Sequence, residues 1–179
     1  MFEKAFTFLG FQLARFQFRS DVDHVQPLAE FMRTARNVLI IMPIGYEDAV
    51  HAGKMLAATC KELKNLHLTV VHTSTRETPL TTFPHCEVVR LDPSDITKFS
   101  LPRRSLLQRI FQKEFDVAMD LNLDFVLHTA YICKASHARV RIGCTHAASD
   151  IFYNVQLNLN KQHPPQVLYQ KFANYVAMF

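Results

Sequence analysis

The sequence predicts a three-layer α/β fold: a Rossmann-like, mostly parallel sheet with helices on both faces, plus an N-terminal helix. One observation is the apolar run Asn37–Pro43, whose length and lack of alternation are typical of a strand buried on both faces. Another is that strand-like and helix-like segments alternate, as β-α-β units require. The 179 residues suffice for one domain with its own core. We assign residues 1–25 to an N-terminal Phe-rich helix and linker, and 26–179 to the Rossmann-like domain.

The N-terminal segment Phe2–Phe18 is dense in phenylalanine, and helical spacing gives it an apolar stripe. The stripe consists of Phe2, Phe6, Leu9, Leu13 and Phe16, widened by Phe8 and Phe11. We favour a helix that packs on the domain or on a second copy of it. The alternative is a helix at a membrane surface, with its basic residues facing anionic lipid, namely Lys4, Arg15 and Arg19.

The rest of the chain follows the β-α-β pattern. Residues 38–42 predict the first strand, and the alternation of apolar and polar residues over 153–160 predicts a half-solvated strand at a sheet edge. Further strands are predicted at 66–72, 86–91, 115–121 and 138–142. Helices are predicted at 27–34, 46–64, 103–113, 125–136 and from 164 to the end of the chain.

The composition limits the function classes. A net charge of +4 permits an anionic partner without requiring one. The four cysteines contain no C-x-x-C pair, which indicates reduced thiols. No apolar run approaches the roughly 18 residues of a membrane span. We therefore expect a cytoplasmic protein, with contact at the inner face of the membrane as the alternative that the N-terminal helix offers.

Two stretches resemble the N-terminal domain of family 9 glycosyltransferases, the heptosyltransferases of lipopolysaccharide assembly. The first is residues 37–50, a buried strand followed by a glycine turn, an acidic residue and a helix. The second is Phe115-Asp-Val-Ala-Met-Asp-Leu-Asn-Leu, followed by Ala135-Ser-His-Ala-Arg-Val-Arg-Ile-Gly143. The resemblance implies a GT-B glycosyltransferase-like domain in which the acid of the first turn, here Asp48, is the base for an acceptor hydroxyl.

The chain departs from that family in two respects. The acid directly follows glycine in the family, whereas Tyr46 and Glu47 separate Gly45 from Asp48 here. Family members also hold the nucleotide sugar in a second domain, and in that respect the chain is more similar to small bacterial proteins that keep only the first. We therefore expect a non-catalytic or ligand-binding domain linked to cell-envelope glycan metabolism, rather than an enzyme. Two alternatives stay open: a glycosyltransferase half that needs a separate donor-binding subunit, and a membrane-surface or self-association module formed by the N-terminal helix.

Ligands of open parallel sheets bind outside the carboxyl ends of the strands, where the strand order reverses. At that edge the catalytic candidates are Asp48 and Asp120. The ligand-binding candidates are Gly45, Tyr46, Ser74, Thr75, Arg76 and Asn122, and the expected ligand is a sugar or a phosphorylated glycan. The alternative is that Asp48 only complements a helix N-terminus while Asp120 orders its loop. A turn with one glycine and two acids disfavours bound phosphate, so we expect no nucleotide cofactor.

The basic run near residue 105 offers a second surface. Arg103, Arg104 and Arg109 are candidates for contact with an anionic surface, although a solvated helix face is the favoured interpretation. Nucleic acid is disfavoured because no basic-aromatic motif accompanies the charge. We expect no metal site, since the best grouping, Cys144 and His146 with His137, matches no zinc spacing.

Overall fold

A computed structural model describes residues 2–21, 34–60, 66–73 and 86–177. Its strands are β1 (Asn37–Ile41), β2 (His67–His72), β3 (Cys86–Arg90), β4 (Val117–Asp120), β5 (Val140–Cys144) and β6 (Val155–Leu157). Its helices are α1 (Phe2–Gln17), α2 (Tyr46–Cys60), α3 (Arg104–Ile110), α4 (Leu127–Ala135) and α5 (Pro165–Ala177). The helix predicted at 27–34 falls almost entirely outside these residues.

The six strands form one sheet in the order β3-β2-β1-β4-β5-β6, and every neighbouring pair is parallel. β1 lies in the middle, with Ile40 opposite Val70 of β2 and Met119 of β4. The predicted central position of 38–42 and the Rossmann-like fold class are therefore confirmed. The predicted edge strand is also at an edge, where β6 pairs with β5.

Side chains of β1 alternate between the two faces of the sheet and enter two separate cores. Val38, Ile40 and Met42 pack with residues of α2 and α5. Leu39 and Ile41 pack on the other face, with residues of α1, α3 and α4. A strand covered on both faces has no polar side, which explains why its sequence is uninterrupted and apolar.

α1 packs on α4 and on the loop that contains Phe99, and its closest approach is at small residues. A Cβ atom on Gly10 would lie 1.9 Å from the carbonyl oxygen of Phe99, so the backbones approach each other as only glycine permits. Ala14 is fully buried, whereas Leu9 and Phe16 of the predicted stripe are exposed. The helix thus packs on the domain, as favoured, and Phe6 and Phe11 of the stripe contact Phe99 and Phe125, but the rest of the stripe is not the buried face. Packing on a second copy stays a prediction.

The predicted edge strand is shorter in the structure, and at its start a side chain takes part in the pairing with the neighbouring strand. The carbonyl oxygen of the Asn154 side chain accepts a hydrogen bond from Arg141 N at 2.7 Å. Its amide nitrogen donates to Arg139 O, also at 2.7 Å. The regular ladder accordingly begins only at Val155.

Gly10→Ala should detach α1 or shift it away from Phe99. Overpacking of this kind costs about 1–3 kcal/mol, which exceeds the roughly 1 kcal/mol that alanine adds to helix propensity. Urea denaturation should therefore show a lower free energy of unfolding. Gln12→Ala, on the exposed side of the same helix, is the control and should change stability by less than about 0.5 kcal/mol. Equal stability of Gly10→Ala and the parent protein would contradict this packing.

Candidate functional site

The strand order reverses between β1 and β4, and the carboxyl ends of these two strands form the candidate site. One side of the crevice is the segment from Met42 to Asp48, which leads from β1 into α2. The other side is the segment from Leu121 to Asp124, which follows β4. Two acids predicted at this edge, Asp48 and Asp120, lie in different environments.

Asp120 is buried, with 1% of its surface exposed. Its Oδ1 accepts hydrogen bonds from the backbone N–H of Asn122 at 3.0 Å and from the side-chain amide of Asn122 at 2.7 Å. Its Oδ2 accepts one from the Tyr153 hydroxyl at 2.8 Å. Both carboxyl oxygens are thus occupied by the protein's own donors.

Burial raises the pKa of Asp120, and the hydrogen bonds from Asn122 and Tyr153 oppose that rise. Burial also raises the pKa of the Tyr153 hydroxyl, and the neighbouring Asp120 raises it further. The phenol therefore stays protonated and remains a hydrogen-bond donor to the carboxylate.

Asn122 joins the two sides of the crevice. Its Oδ1 accepts a hydrogen bond from the backbone N–H of Ile44 at 3.0 Å, so β4 holds the segment that follows β1. Its amide nitrogen lies 3.5 Å from the carbonyl oxygen of Met42 and 3.4 Å from the Thr129 hydroxyl. The residue predicted as a ligand contact is mostly buried and forms internal hydrogen bonds.

The position of the Tyr153 ring depends on Gly143 of β5. A Cβ atom on Gly143 would lie 2.6 Å from the Tyr153 ring, so any larger residue there would displace the ring from its position beside Asp120. The sequence pattern predicts Tyr153 in the edge strand and gives no sign of this contact. Nothing in the alternating pattern links a tyrosine to a carboxylate 33 residues earlier.

Asp48, in the first turn of α2, is only partly buried. Burial raises its pKa, the charge of Asp124 raises it further, and His51 acts in the opposite direction. Asp124 itself is exposed and bonded to Lys161 at 2.6 Å, which keeps its pKa low. The mouth of the crevice therefore carries two carboxylates, of which Asp48 binds a proton more readily.

Gly45 and Tyr46 complete the described part of the mouth. The carbonyl oxygen of Gly45 accepts the first backbone hydrogen bond of α2, from Ala49 at 2.8 Å. A Cβ atom on Gly45 would meet only Asp48 atoms, at 3.6 Å or more, so the glycine here leaves open space beside the carboxylate. Tyr46 is 57% exposed. Ser74, Thr75 and Arg76 lie outside the described residues.

The basic run contains arginines that stabilise the preceding loop. Arg109 donates to the buried carboxylate of Asp95 at 2.7 Å and to the carbonyl oxygen of Arg90 at 2.9 Å. Arg103 donates through Nε to Ser94 O at 2.8 Å. Arg104 is exposed and forms no ion pair with any residue in the described part of the chain. Contact with an anionic surface stays a prediction for all three arginines.

The described residues include neither a metal-binding group nor a membrane-spanning helix. No group of three or more His, Cys, Asp and Glu side chains within ranges 2–21, 34–60, 66–73 and 86–177 is arranged to hold a metal ion. No helix within the same ranges combines the length and the apolar character that crossing a bilayer requires.

The fold is similar to that of two solved glycosyltransferase structures. One is a family 9 glycosyl transferase from Veillonella parvula, with a TM-score of 0.63 and 16% identity over 80% of this chain and 42% of that one. The other is the E. coli heptosyltransferase WaaC with ADP, with a TM-score of 0.59 and 17% identity over 78% of this chain and 46% of that one. The chain thus spans less than half the length of either. No protein-family model and no curated protein matches its sequence.

Tyr153→Phe should destabilise the protein by about 1–3 kcal/mol, because it leaves one oxygen of a buried carboxyl without a donor. Chemical denaturation at pH 7 measures this loss. Tyr131→Phe is the matched control, since its hydroxyl donates to the exposed side chain of Gln17, which water can satisfy instead, and it should cost less than about 1 kcal/mol. A Tyr153→Phe protein as stable as the parent would contradict the assigned network.

Arg109→Gln should lower stability by about 1–2 kcal/mol, because the buried Asp95 carboxylate then loses its cation. Arg104→Gln is the control on the same helix and should stay within about 0.5 kcal/mol of the parent protein. Thermal denaturation of the two variants side by side makes the comparison. Equal effects of the two substitutions would refute a structural role for Arg109.

Proposed function

We propose that this domain binds a sugar through its hydroxyl groups at the crevice between β1 and β4, and that it does not transfer sugar by itself. The observation that carries the proposal is the contrast between the two acids. The Asp120 carboxyl is fully enclosed, whereas Asp48 is partly exposed at the mouth. A carboxylate in that position can accept hydrogen bonds from ligand hydroxyl groups.

The charges at the mouth support a neutral, hydroxylated ligand. Glu47 and Asp48 occupy the first turn of α2, and Asp124 lies close enough to Asp48 to affect its pKa. Glu47 and Asp48 repel an anion that the N-terminus of α2 would otherwise attract, whereas Lys161 offsets the charge of Asp124 through its ion pair. Hydroxyl groups donate to carboxylates without this penalty. On a phosphorylated glycan, we therefore expect the sugar ring rather than the phosphate to contact Asp48.

Tyr46 supports the same ligand class. Its exposed ring lies in the same first turn of α2 as Asp48 and offers a flat apolar surface at that end of the helix. Ligand sites combine apolar or aromatic surface with a few polar groups that fix orientation. A sugar presents both an apolar face of C–H groups and a rim of hydroxyl groups.

Asp120 and Asn122 act as positioning residues in this proposal. They hold the segment that carries Ile44, and so set where α2 begins. With its oxygens occupied and its surface enclosed, Asp120 has no acceptor to offer a ligand unless the network opens. The base or hydrogen-bond acceptor is therefore assigned to Asp48 alone.

The proposal that the chain alone transfers no sugar rests on the chemistry of the first turn. A nucleotide-sugar donor brings a diphosphate, and the N-terminus of α2 carries two acids where an anion would have to bind. A link to cell-envelope glycans is part of the proposal and rests on the likeness in fold to a heptosyltransferase. Purified chain incubated with nucleotide sugars and glycan acceptors should yield no transfer product, and any transfer product would contradict this part.

A second candidate function is one half of a glycosyltransferase whose donor-binding part is a separate subunit. It is favoured by the coverage of 42% and 46% of the two similar enzymes. In that case Asp48 would be the base for the acceptor hydroxyl, and its raised pKa would suit proton transfer. Full transfer activity of an Asp48→Asn chain in a reconstituted pair would remove this role.

Asp48→Asn should weaken sugar binding about tenfold, because a neutral amide accepts hydroxyl hydrogen bonds less strongly than a carboxylate. Saturation-transfer difference NMR with a panel of neutral and phosphorylated hexoses and heptoses provides the measurement. Glu114→Gln is the control, since Glu114 is exposed and precedes β4 at the opposite end of the sheet. Equal binding by the Asp48→Asn variant and the parent protein would rule out the assigned acceptor.

Sugar binding should also be lost in acid. Burial raises the pKa of Asp48, so its carboxylate takes up a proton at a higher pH than an ordinary aspartate does, and the stronger acceptor is lost as the pH falls. Binding titrated between pH 7 and pH 4 should weaken toward the acid end in the parent protein. The Asp48→Asn variant should lack this dependence, and a parent protein with a flat profile would contradict the assignment.

A further inference from the structure

α1 carries an apolar face that the rest of the described structure leaves uncovered. This outer face consists of Ala5, Phe8, Leu9, Gln12, Leu13 and Phe16. Phe8 and Phe16 are 61% and 64% exposed, and Leu9 and Leu13 are about half exposed, at 49% and 53%. Four large apolar side chains on one helix face, exposed to this degree, mark an interaction surface rather than ordinary scattered exposure.

The opposite side of α1 holds the helix in a fixed orientation. Phe18 packs on Tyr131 with ring centroids 5.1 Å apart, and the Tyr131 hydroxyl donates to the Gln17 side chain at 2.8 Å. Phe11 contacts Phe125 edge-to-face. Together with the close approach at Gly10, these contacts prevent the helix from rotating its outer face into the core.

Basic side chains border this face. Lys4, Arg15 and Arg19 are exposed along one side, as helical spacing places them, and the Arg19 guanidinium lies 4.1 Å from the centre of the Phe16 ring. On the other side, Lys98 lies over the Phe6 ring at 5.5 Å. Among residues 4–19, the part of α1 and its end whose side chains are described, there is no acid.

We propose that the outer face of α1 docks on an anionic lipid surface, with the helix lying in the plane of the interface. Interfacial helices bury an apolar face about 5–10 Å into the headgroup boundary while lysine and arginine at its borders contact anionic lipid. Each such cation adds attraction that falls off within a Debye length. The outer face supplies the apolar surface, and the lysine and arginines at its border supply the cations.

A second copy of the chain fits this face less well than lipid does. Twofold packing of α1 against itself would bring the basic borders of the two helices toward each other. The face offers no described acid to neutralise them, so the charges would repel. Lipid is therefore the proposed occupant of this face, and the experiment below separates lipid binding from self-association.

The experiment is sedimentation of the full chain with phosphatidylcholine vesicles that contain about 30% phosphatidylglycerol. Replacing Phe8 and Phe16 together by serine should weaken binding at least about tenfold, because two exposed aromatic side chains no longer enter the bilayer. Replacing Arg15 and Arg19 by glutamine should weaken it about fivefold per charge, and added salt should weaken the parent protein similarly. Pure phosphatidylcholine vesicles should bind the parent protein poorly.

Matched controls lie on the other face of the sheet, where Val167→Ser on α5 and Lys54→Gln on α2 should leave vesicle binding unchanged. Circular dichroism checks that each variant is folded, and the charge variants keep the proposal testable if the serine variant unfolds. Light scattering without lipid should give a monomer. Absence of vesicle binding, binding unaltered by the outer-face substitutions, or a dimer that these substitutions dissociate would each overturn the proposal. The test does not involve the crevice, so its result is independent of sugar binding.

Discussion

The enclosed carboxyl of Asp120 is the constraint on which the described site depends. Removing a carboxyl group from water is costly unless its oxygens find donors inside the protein. Asn122 and Tyr153 supply those donors, and Tyr153 can do so only because Gly143 leaves room for its ring. The same Asn122 holds the backbone of Ile44, so one buried acid fixes both sides of the crevice.

This arrangement gives two nearby acids different properties. Asp120 stabilises the junction of β1, β4 and β5, whereas Asp48 stays partly open to solvent at the start of α2. Burial raises the pKa of both carboxyl groups, but only Asp48 can also exchange protons and hydrogen bonds with a ligand at the mouth. The two aspartates therefore differ in role because their surroundings differ: Asp120 is structural, and Asp48 is available to a ligand. Other sites also place two carboxylates in unlike surroundings.

The sequence predicted the fold more fully than the site. An apolar run such as 38–42 has one stable location, the middle of a covered parallel sheet, so β1 was predictable from hydrophobicity. The link from Tyr153 to Asp120 was not, because it depends on the pairing of β4 with β5 and on the missing side chain of Gly143. The buried side of α1 was also unpredictable, since the helix is apolar on most of its circumference and its orientation depends on close approach at Gly10 and Ala14 together with contacts of Phe11 and Phe18.

Amide hydrogen exchange at Ile44 and Asn122 tests most directly whether the carboxyl network holds the crevice. Neither residue belongs to a strand or a helix, yet the N–H of Ile44 bonds to Asn122 and the N–H of Asn122 bonds to Asp120. We predict that both amides exchange as slowly as those of the neighbouring strands, because they open only in larger unfolding events. Exchange of either amide at the rate of an open loop would contradict it.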